Sequence, residues 1–414
     1  MYRAGAVARP AYYSGLASLA FSFIAAPSIW LDWNVIFSVA GAVSFILSLV
    51  AFAFDISRSR RESVSIIRHH SPLKRKQISN VPAKEVVEHK HVDGADLAVF
   101  SPAVDRALRE SDAAYDYSVR RQRIEDRASK YAYAVLRAKM ATKNKKPFNG
   151  KVIRQDDDLD LAVLRNHGSV SFSASDYYSL MATNYMVEFD VVDLDNKVLL
   201  PGHSLICDAK KRTLKSIAES DLANIIGVST LAFTSDGMLV LIRQGGDVES
   251  SRGLWAPSGS GSMDRADVRA SRHFGRHPRL KDVVRYAMER ELIEECPLPF
   301  RDIIHTKVIG YFRWVNKGGK PEYLGLTKLA THSSELPKVP RIVERGYVKS
   351  IVACDVHWPQ IVADKPETAV EGIHSTQLSM PLLMGLRCAG NYFEENPQWL
   401  PQYRNSVTPP NSPT

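Results

Sequence analysis

The stretch "RELIEEC", Arg290–Cys296, sets the carboxylates Glu291, Glu294 and Glu295 close together in a run that otherwise reads as helix. Upstream, "LKDVVRYAME" carries the helical spacing back to Leu280, and Pro297 stops it downstream. On a wheel of about 100° per residue the three acids share one face. Val284, Ala287 and Met288 fall on that same face in the preceding turns. The apolar stripe that points at the core therefore runs on into the acids, whereas a solvated charge run would occupy the opposite side. Inward-leaning carboxylates repel one another and are costly to desolvate unless cations compensate. Two kinds of compensation are open at this point: a hard divalent cation, which prefers oxygen ligands, or a protein arginine, beginning with Arg290.

Around this helix the chain reads as mixed α/β. "GVSTLAFTSDGMLVLIRQ" (227–244) gives two apolar strands about a Ser235-Asp236-Gly237 turn. "GLWAPSGSGSMD" (253–264) is a loop of small residues that leads toward the helix. After it, "HTKVIGYFRWV" and "EYLGLTKLA" flank Asn316-Lys317-Gly318-Gly319 as a second hairpin, and "MPLLMGLRCAGNYF" makes a last helix. Strands, loop, helix, strands and helix in that order suit a layered α/β domain.

The run Arg290-Glu291-Leu292-x-Glu294-Glu295, behind the Gly-rich "WAPSGSGS" loop, resembles the signature helix of the Nudix hydrolases. The resemblance covers residues 222–396 and implies an α/β/α sandwich with a mixed sheet. It implies Mg²⁺ (or Mn²⁺) as cofactor, held by Glu291, Glu294 and Glu295, with Arg290 anchoring the helix through a carboxylate and Glu291 as a further ligand or the base. Gly259 and Gly261 would let the backbone approach phosphates without Cβ clashes, and Arg243 and Arg313 would contact the substrate. The activity it implies is cleavage of a diphosphate bond in a nucleoside diphosphate derivative, so the expected partner is a nucleotide-type small molecule. Three departures accompany it: Pro297 where the family's closing glycine stands, Asp282 where its earlier glutamate stands, and an insertion, "RADVRASRHFGRHPR" (265–279), rich in arginine and histidine. The insertion reads either as a grip on a phosphate-rich ligand or as a solvated loop. Nudix-like domains also serve as ligand-binding modules, which leaves a nucleotide sensor controlling a membrane effector as the alternative function.

The first residues point to a membrane. "YYSGLASLAFSFIAAPSIW" (12–30) and "VIFSVAGAVSFILSLVAFAF" (35–54) contain no charged side chain. Each is long enough, at about 1.5 Å per residue, to cross a hydrocarbon core of roughly 30 Å as a helix. A cleavable signal peptide accounts for the first segment and not for the second. Arg3 and Arg9 precede the hairpin, and Arg58, Arg60 and Arg61 open a basic stretch after it, which predicts both termini on the cytoplasmic side. The same stretch suits anionic headgroups of a lipid bilayer. Ser38 with Ala42 and Ala40 with Ser44 permit close helix contacts and a homo-oligomer.

The rest of the chain is less explicit. Residues 57–145 read as a basic linker and charged helical stalk, 146–221 as a β-containing lead-in and 397–414 as a disordered tail. The stalk lacks the interleaved aromatic and basic residues of a nucleic-acid surface, so no specific nucleic acid is expected. With 414 residues, 45% hydrophobic and 24% charged, the chain can bury a sizeable core and is not a disordered protein; its formal net charge is +9. Cys207, Cys296, Cys354 and Cys388 are far apart and form no metal spacing, which fits reduced thiols in a cytosol-facing compartment.

Overall fold

The computed structural model describes residues 64–68, 73–81, 84–92, 94–121, 126–141, 149–220, 222–246, 251–271, 279–362 and 364–399. The expected membrane hairpin, and the tail beyond Trp399, lie outside these. Among the described residues no helix is long and apolar enough to cross a membrane.

The chain forms a hairpin, β1 (Glu85–His91) and β2 (Gly94–Phe100), followed by α1 (Pro102–Glu110), β3 (Ala114–Arg121) and α2 (Asp126–Ala141). Next come β4 (Lys151–Gln155), β5 (Ser169–Asp176), β6 (Gly227–Phe233), β7 (Leu239–Gln244), β8 (Trp255–Pro257) and β9 (Gly259–Ser262). Then α3 (Arg265–Ser271), α4 (Leu280–Glu295), β10 (Ile303–Trp314), β11 (Lys320–Leu329), β12 (Val348–Cys354) and α5 (Met380–Glu395) complete the main layers. A nine-stranded sheet runs in the order β8-β7-β6-β11-β10-β2-β1, with β9 also on β6 and β12 also on β7.

β6 is the spine of that sheet and is buried at every position. Its neighbours are β11 in parallel and β7 and β9 antiparallel. Both expected hairpins form: Gly237 supplies the positive φ of the β6–β7 turn, and Gly318 and Gly319 supply it between β10 and β11. Two helices cover the faces. α4 packs Val283, Val284, Ala287 and Met288 against Val228, Val308 and Tyr323. On the opposite face α5 packs Leu382, Leu386, Ala389 and Phe393 against Leu231, Phe312 and Leu324. Each such Val, Leu, Met or Phe side chain contributes about 1.5–3 kcal/mol when taken out of water. α5 starts cleanly because the Ser379 side chain accepts from the Leu382 amide and Pro381 opens the helix.

The expected helical stalk is corrected. Residues 102–143 are not one helix: α1 ends at Glu110, and β3 pairs in parallel with β5, which pairs with β4, in a separate three-stranded sheet. In "AYDYSVRR" the first half alternates, with Tyr115 and Tyr117 turned to the core around exposed Asp116, a period of two that the surrounding charges mask. Residues 85–100 are likewise no linker. Val86, Leu97 and Val99 pack in a core cluster, and β2 joins the main sheet by pairing Phe100 with Phe312. The sheet thus reaches outside 222–396.

α1 is fastened to both layers by Asp105, which is fully buried. The β10–β11 register shifts between Val308 and Gly310; just beyond it Tyr311 pairs with Tyr323, and the Tyr311 amide donates to Asp105 at 2.8 Å. The Cys388 thiol of α5 donates to the other carboxylate oxygen at 3.4 Å. Position 310 must be glycine, because a Cβ there would stand 2.5 Å from the Cys388 sulfur. Burial pushes the Asp105 carboxyl up to about 7. Between the ordinary carboxylate range near pH 4 and about pH 7, the folded chain keeps a proton that the unfolded chain releases, so this residue's contribution falls as pH rises. Asp105→Asn keeps the acceptor for Tyr311 and has no such proton; its stability relative to the native chain should rise across that window. Denaturant midpoints of both proteins measured between about pH 4 and pH 8 check this, and a constant difference would refute it.

Candidate active site

α4 ends without a left-handed residue: Cys296 is extended, its amide donates to the Leu292 carbonyl, and Pro297 follows. No glycine is needed there. Of the acids on its last turns, Glu295 is 8% exposed. The Glu291 side chain is 13% exposed and that of Glu294 45%. Two of the three therefore turn inward as the periodicity implies, and Glu294 sits at the rim.

Strand β9 lies directly on this helix. A Cβ on Gly259 would meet the Leu292 backbone at 2.7 Å, and one on Gly261 would fall on the Glu291 carboxylate. These glycines, expected to face phosphates, are taken up by strand–helix packing. The Ser260 amide between them donates to Glu295 at 2.7 Å.

Arg290 closes the arrangement. Its Nε and Nη2 hold the two oxygens of Asp267 at 2.7 and 3.0 Å, a bidentate pair. Nη1 reaches Glu294 at 2.9 Å and Glu291 at 3.0 Å, and Nη2 also donates to the Ser262 carbonyl at 3.1 Å. The partner carboxylate is thus Asp267 on α3, six residues after Gly261, and not Asp282, which pairs with Arg285 at 3.6 Å. Asp267 is fully buried and belongs to the stretch that reads as a basic insertion; its first seven residues are the helix α3.

The electrostatics are one-sided. Burial pushes the Glu291 carboxyl up to about 7, with Arg290 pulling it down and Glu294 pushing it further up. Glu295 is driven well above the ordinary carboxylate range by burial and then by Glu291. Glu344, which sequence reasoning missed, adds to this: burial and Glu294 raise its own carboxyl, and it raises that of Glu295. Burial opposes the charge of Arg290, but Glu291, Asp267 and Glu294 outweigh it and keep the guanidinium protonated. Among the described residues five acids gather here, with Arg290 in their midst and Arg341 acting on Glu344 alone. Oxygen donors in negative excess fit a hard divalent cation. Arg290 draws Glu291 and Glu294 toward itself, and among the described residues no three His, Cys, Asp or Glu side chains form a ready ligand set.

The two expected substrate arginines differ. Arg243, on β7, is half-buried with its guanidinium 5.2 Å from the centre of the Trp255 ring. Arg313 is 4% exposed and committed to the fold, donating to the carbonyls of Gly319 at 3.0 Å and Lys215 at 2.6 Å and facing Asp158 at 3.5 Å. Arg313, the penultimate residue of β10, is thus held by acceptors of the protein itself.

No family model and no curated protein matches the sequence. Among solved structures, similar chains include a MutT protein from Methanosarcina mazei Go1, at 13% identity over 42% of this chain and 95% of that one, with a TM-score of 0.24. A Nudix hydrolase from M. smegmatis matches at 16% identity over 41% of this chain and 82% of that one, with a TM-score of 0.22. The bifunctional NMN adenylyltransferase/ADP ribose pyrophosphatase of Francisella tularensis, solved with AMP and a Mn ion, matches at 16% identity over 32% of this chain, with a TM-score of 0.23. The match spans 34% of that bifunctional protein's length. Scores this low establish no common fold.

The Arg290–Asp267 pair can be told from the Asp282 alternative. Asp267→Ala removes two charge-assisted hydrogen bonds to Arg290 at a buried position, so it should lower the stability of the chain by about 2–4 kcal/mol. Asp282→Ala removes a surface pair and should cost less than about 1 kcal/mol. Unfolding midpoints of the two variants give the comparison, and similar values would refute the assignment.

Proposed function

We propose that the chain is a membrane-anchored, Mg²⁺-dependent Nudix-type hydrolase that cleaves a diphosphate bond in a nucleoside diphosphate derivative on the cytoplasmic side. The observation that carries this reading is the excess of inward carboxylate on α4, where Glu291 and Glu295 are desolvated with a single guanidinium to offset them. Glu291, Glu294 and Glu295 would hold the metal. Once bound, it would neutralise the diphosphate and lower the pKa of an attacking water. The chain's own part is positional. The Ser260 amide fixes Glu295, Arg290 fixes Glu291 and Glu294, and Asp267 fixes Arg290. Glu291 would serve as a third metal ligand or as the base that accepts a proton from water. The apolar segments 12–30 and 35–54 would tether the domain to the bilayer.

A second reading is favoured by one observation. Arg290 already occupies Glu291 and Glu294, which suits a domain that binds a nucleotide and signals to the membrane hairpin without turnover.

One experiment separates the two. Nucleotide or phosphate release by the full chain, with and without Mg²⁺, over a panel of nucleoside diphosphate compounds should depend on the metal and fall at least about 100-fold in Glu295→Gln. Turnover that survives in Glu295→Gln refutes the site. Thermal stabilisation by a compound that is never cleaved establishes the sensor reading.

A further inference from the structure

Away from the acid cluster, a second group of charged side chains has the opposite sign. His305 on β10 pairs across the ladder with Lys328 on β11, and Lys307 follows two residues on, on the same face. All three gather around the indole of Trp399, in the short turn Pro397–Trp399 after α5. The Lys328 ammonium lies 4.4 Å and that of Lys307 6.0 Å from the ring centre, and the His305 ring is 5.2 Å away. Lys307 also stands 5.0 Å from the Tyr392 ring, which Arg109 approaches from 5.7 Å. Tyr392 is 1% exposed, and its hydroxyl is buried without a hydrogen-bond partner.

The nearby carboxylates are engaged elsewhere. Glu395 takes Arg106 at 2.7 Å and Arg109 at 2.6 Å, Asp282 takes Arg285, and Asp112 takes Arg279 at 3.1 Å. Glu289 is buried on the α4 side, where it bonds to Thr306. Among the described residues neither Lys307 nor Lys328 has a carboxylate within ion-pair distance. Aromatic faces offset part of the charge, but the cations still oppose one another. Burial lowers the pKa of Lys307 and Lys281 and Arg109 lower it further; His305 is lowered by burial and then by Arg285, Lys307 and Lys328. Like charges held together without a counter-charge favour an incoming anion. Lysine ammoniums, as compact point charges, suit the oxygens of phosphate.

We propose that Lys307, Lys328 and His305, gathered around Trp399, form a binding site for a phosphate-bearing anion, separate from the acid cluster of α4. The separation is physical. α4 packs on the other face of the sheet, and Arg285, the α4 cation that acts on His305, stands ten residues before Glu295, about 15 Å along the helix axis, with Lys281 one turn further away. The anion is either a free small phosphate compound or the phosphate of a lipid headgroup.

The test uses the full chain, at low salt and with a chelator so that the acid cluster holds no metal. Calorimetric titration with inorganic pyrophosphate is run on the native chain, on Lys307→Ser/Lys328→Ser, on Lys328→Arg and on Glu295→Gln. In parallel, sedimentation compares phosphatidylcholine vesicles with and without phosphatidic acid. A free-phosphate site gives pyrophosphate binding that weakens at least about tenfold in the double variant and is kept in Lys328→Arg and Glu295→Gln. A headgroup site gives no pyrophosphate heat, but a gain from phosphatidic acid that the double variant loses. Binding of either kind that survives in the double variant overturns the proposal, as does the absence of both. Should the double variant fail to fold, tryptophan fluorescence decides instead: the change on adding pyrophosphate or phosphatidic acid vesicles must vanish in Trp399→Phe, and a change that persists overturns the site.

Discussion

Arg290 stands among acceptors from three parts of the chain: Asp267 of α3, the Ser262 carbonyl of β9, and Glu291 and Glu294 of its own helix. The candidate site depends on that convergence. Three carboxylates on adjoining turns of a half-buried helix end would repel one another and tend to unwind it. A guanidinium in their midst converts the repulsion into directed hydrogen bonds and fixes the rotation of α4 relative to β9. Gly259 and Gly261 complete the constraint, since only residues without a Cβ let the strand lie on the helix closely enough for the Ser260 amide to reach Glu295. Charge and sterics therefore specify one geometry together, and neither does so alone.

Asp105 performs a comparable task where α1, β10 and α5 meet, by different chemistry. There a carboxyl with no cation bound to it is accepted into the core because β10 presents the Tyr311 amide and α5 presents the Cys388 thiol. The residue binds a short helix, a strand and a long helix at one point. Both devices bury a carboxyl, and the partner in each case determines its charge: Asp267 meets a guanidinium, whereas Asp105 meets neutral donors and burial favours its protonated form.

What the sequence made legible was local. The Ser235-Asp236-Gly237 and Asn316–Gly319 turns, the apolar stripe of α4 and the start of α5 are written in adjacent residues, and each forms where the pattern places it. The inward lean of Glu291 and Glu295 follows from the same periodicity. What escaped depends on distant residues. Asp267 is recognisable as a partner only once α3 folds back on α4, and Glu344 reaches the cluster from a turn beyond β11. The charges of residues 102–143 obscured β3, whose alternation covers only half of the strand. The structural partners of Arg313 also escape the sequence, because its acceptors on Lys215 and Gly319 are backbone carbonyls, which carry no sequence signal.

The pairing of Phe100 with Phe312 joins strands separated by more than two hundred residues. Chains are made from the N-terminus, so the β1–β2 hairpin leaves the ribosome long before β10 exists to cover it. Until then β2 presents a free edge whose partner groups in the finished sheet have not been synthesised. β6 likewise waits for β11, its parallel neighbour, across the whole of the candidate site. Contacts of such long range form slowly because a large loop must close first. The central sheet is therefore assembled late in the life of the nascent chain, and the acid helix, which lies between β6 and β11 in sequence, is enclosed by the same closing event that completes the sheet.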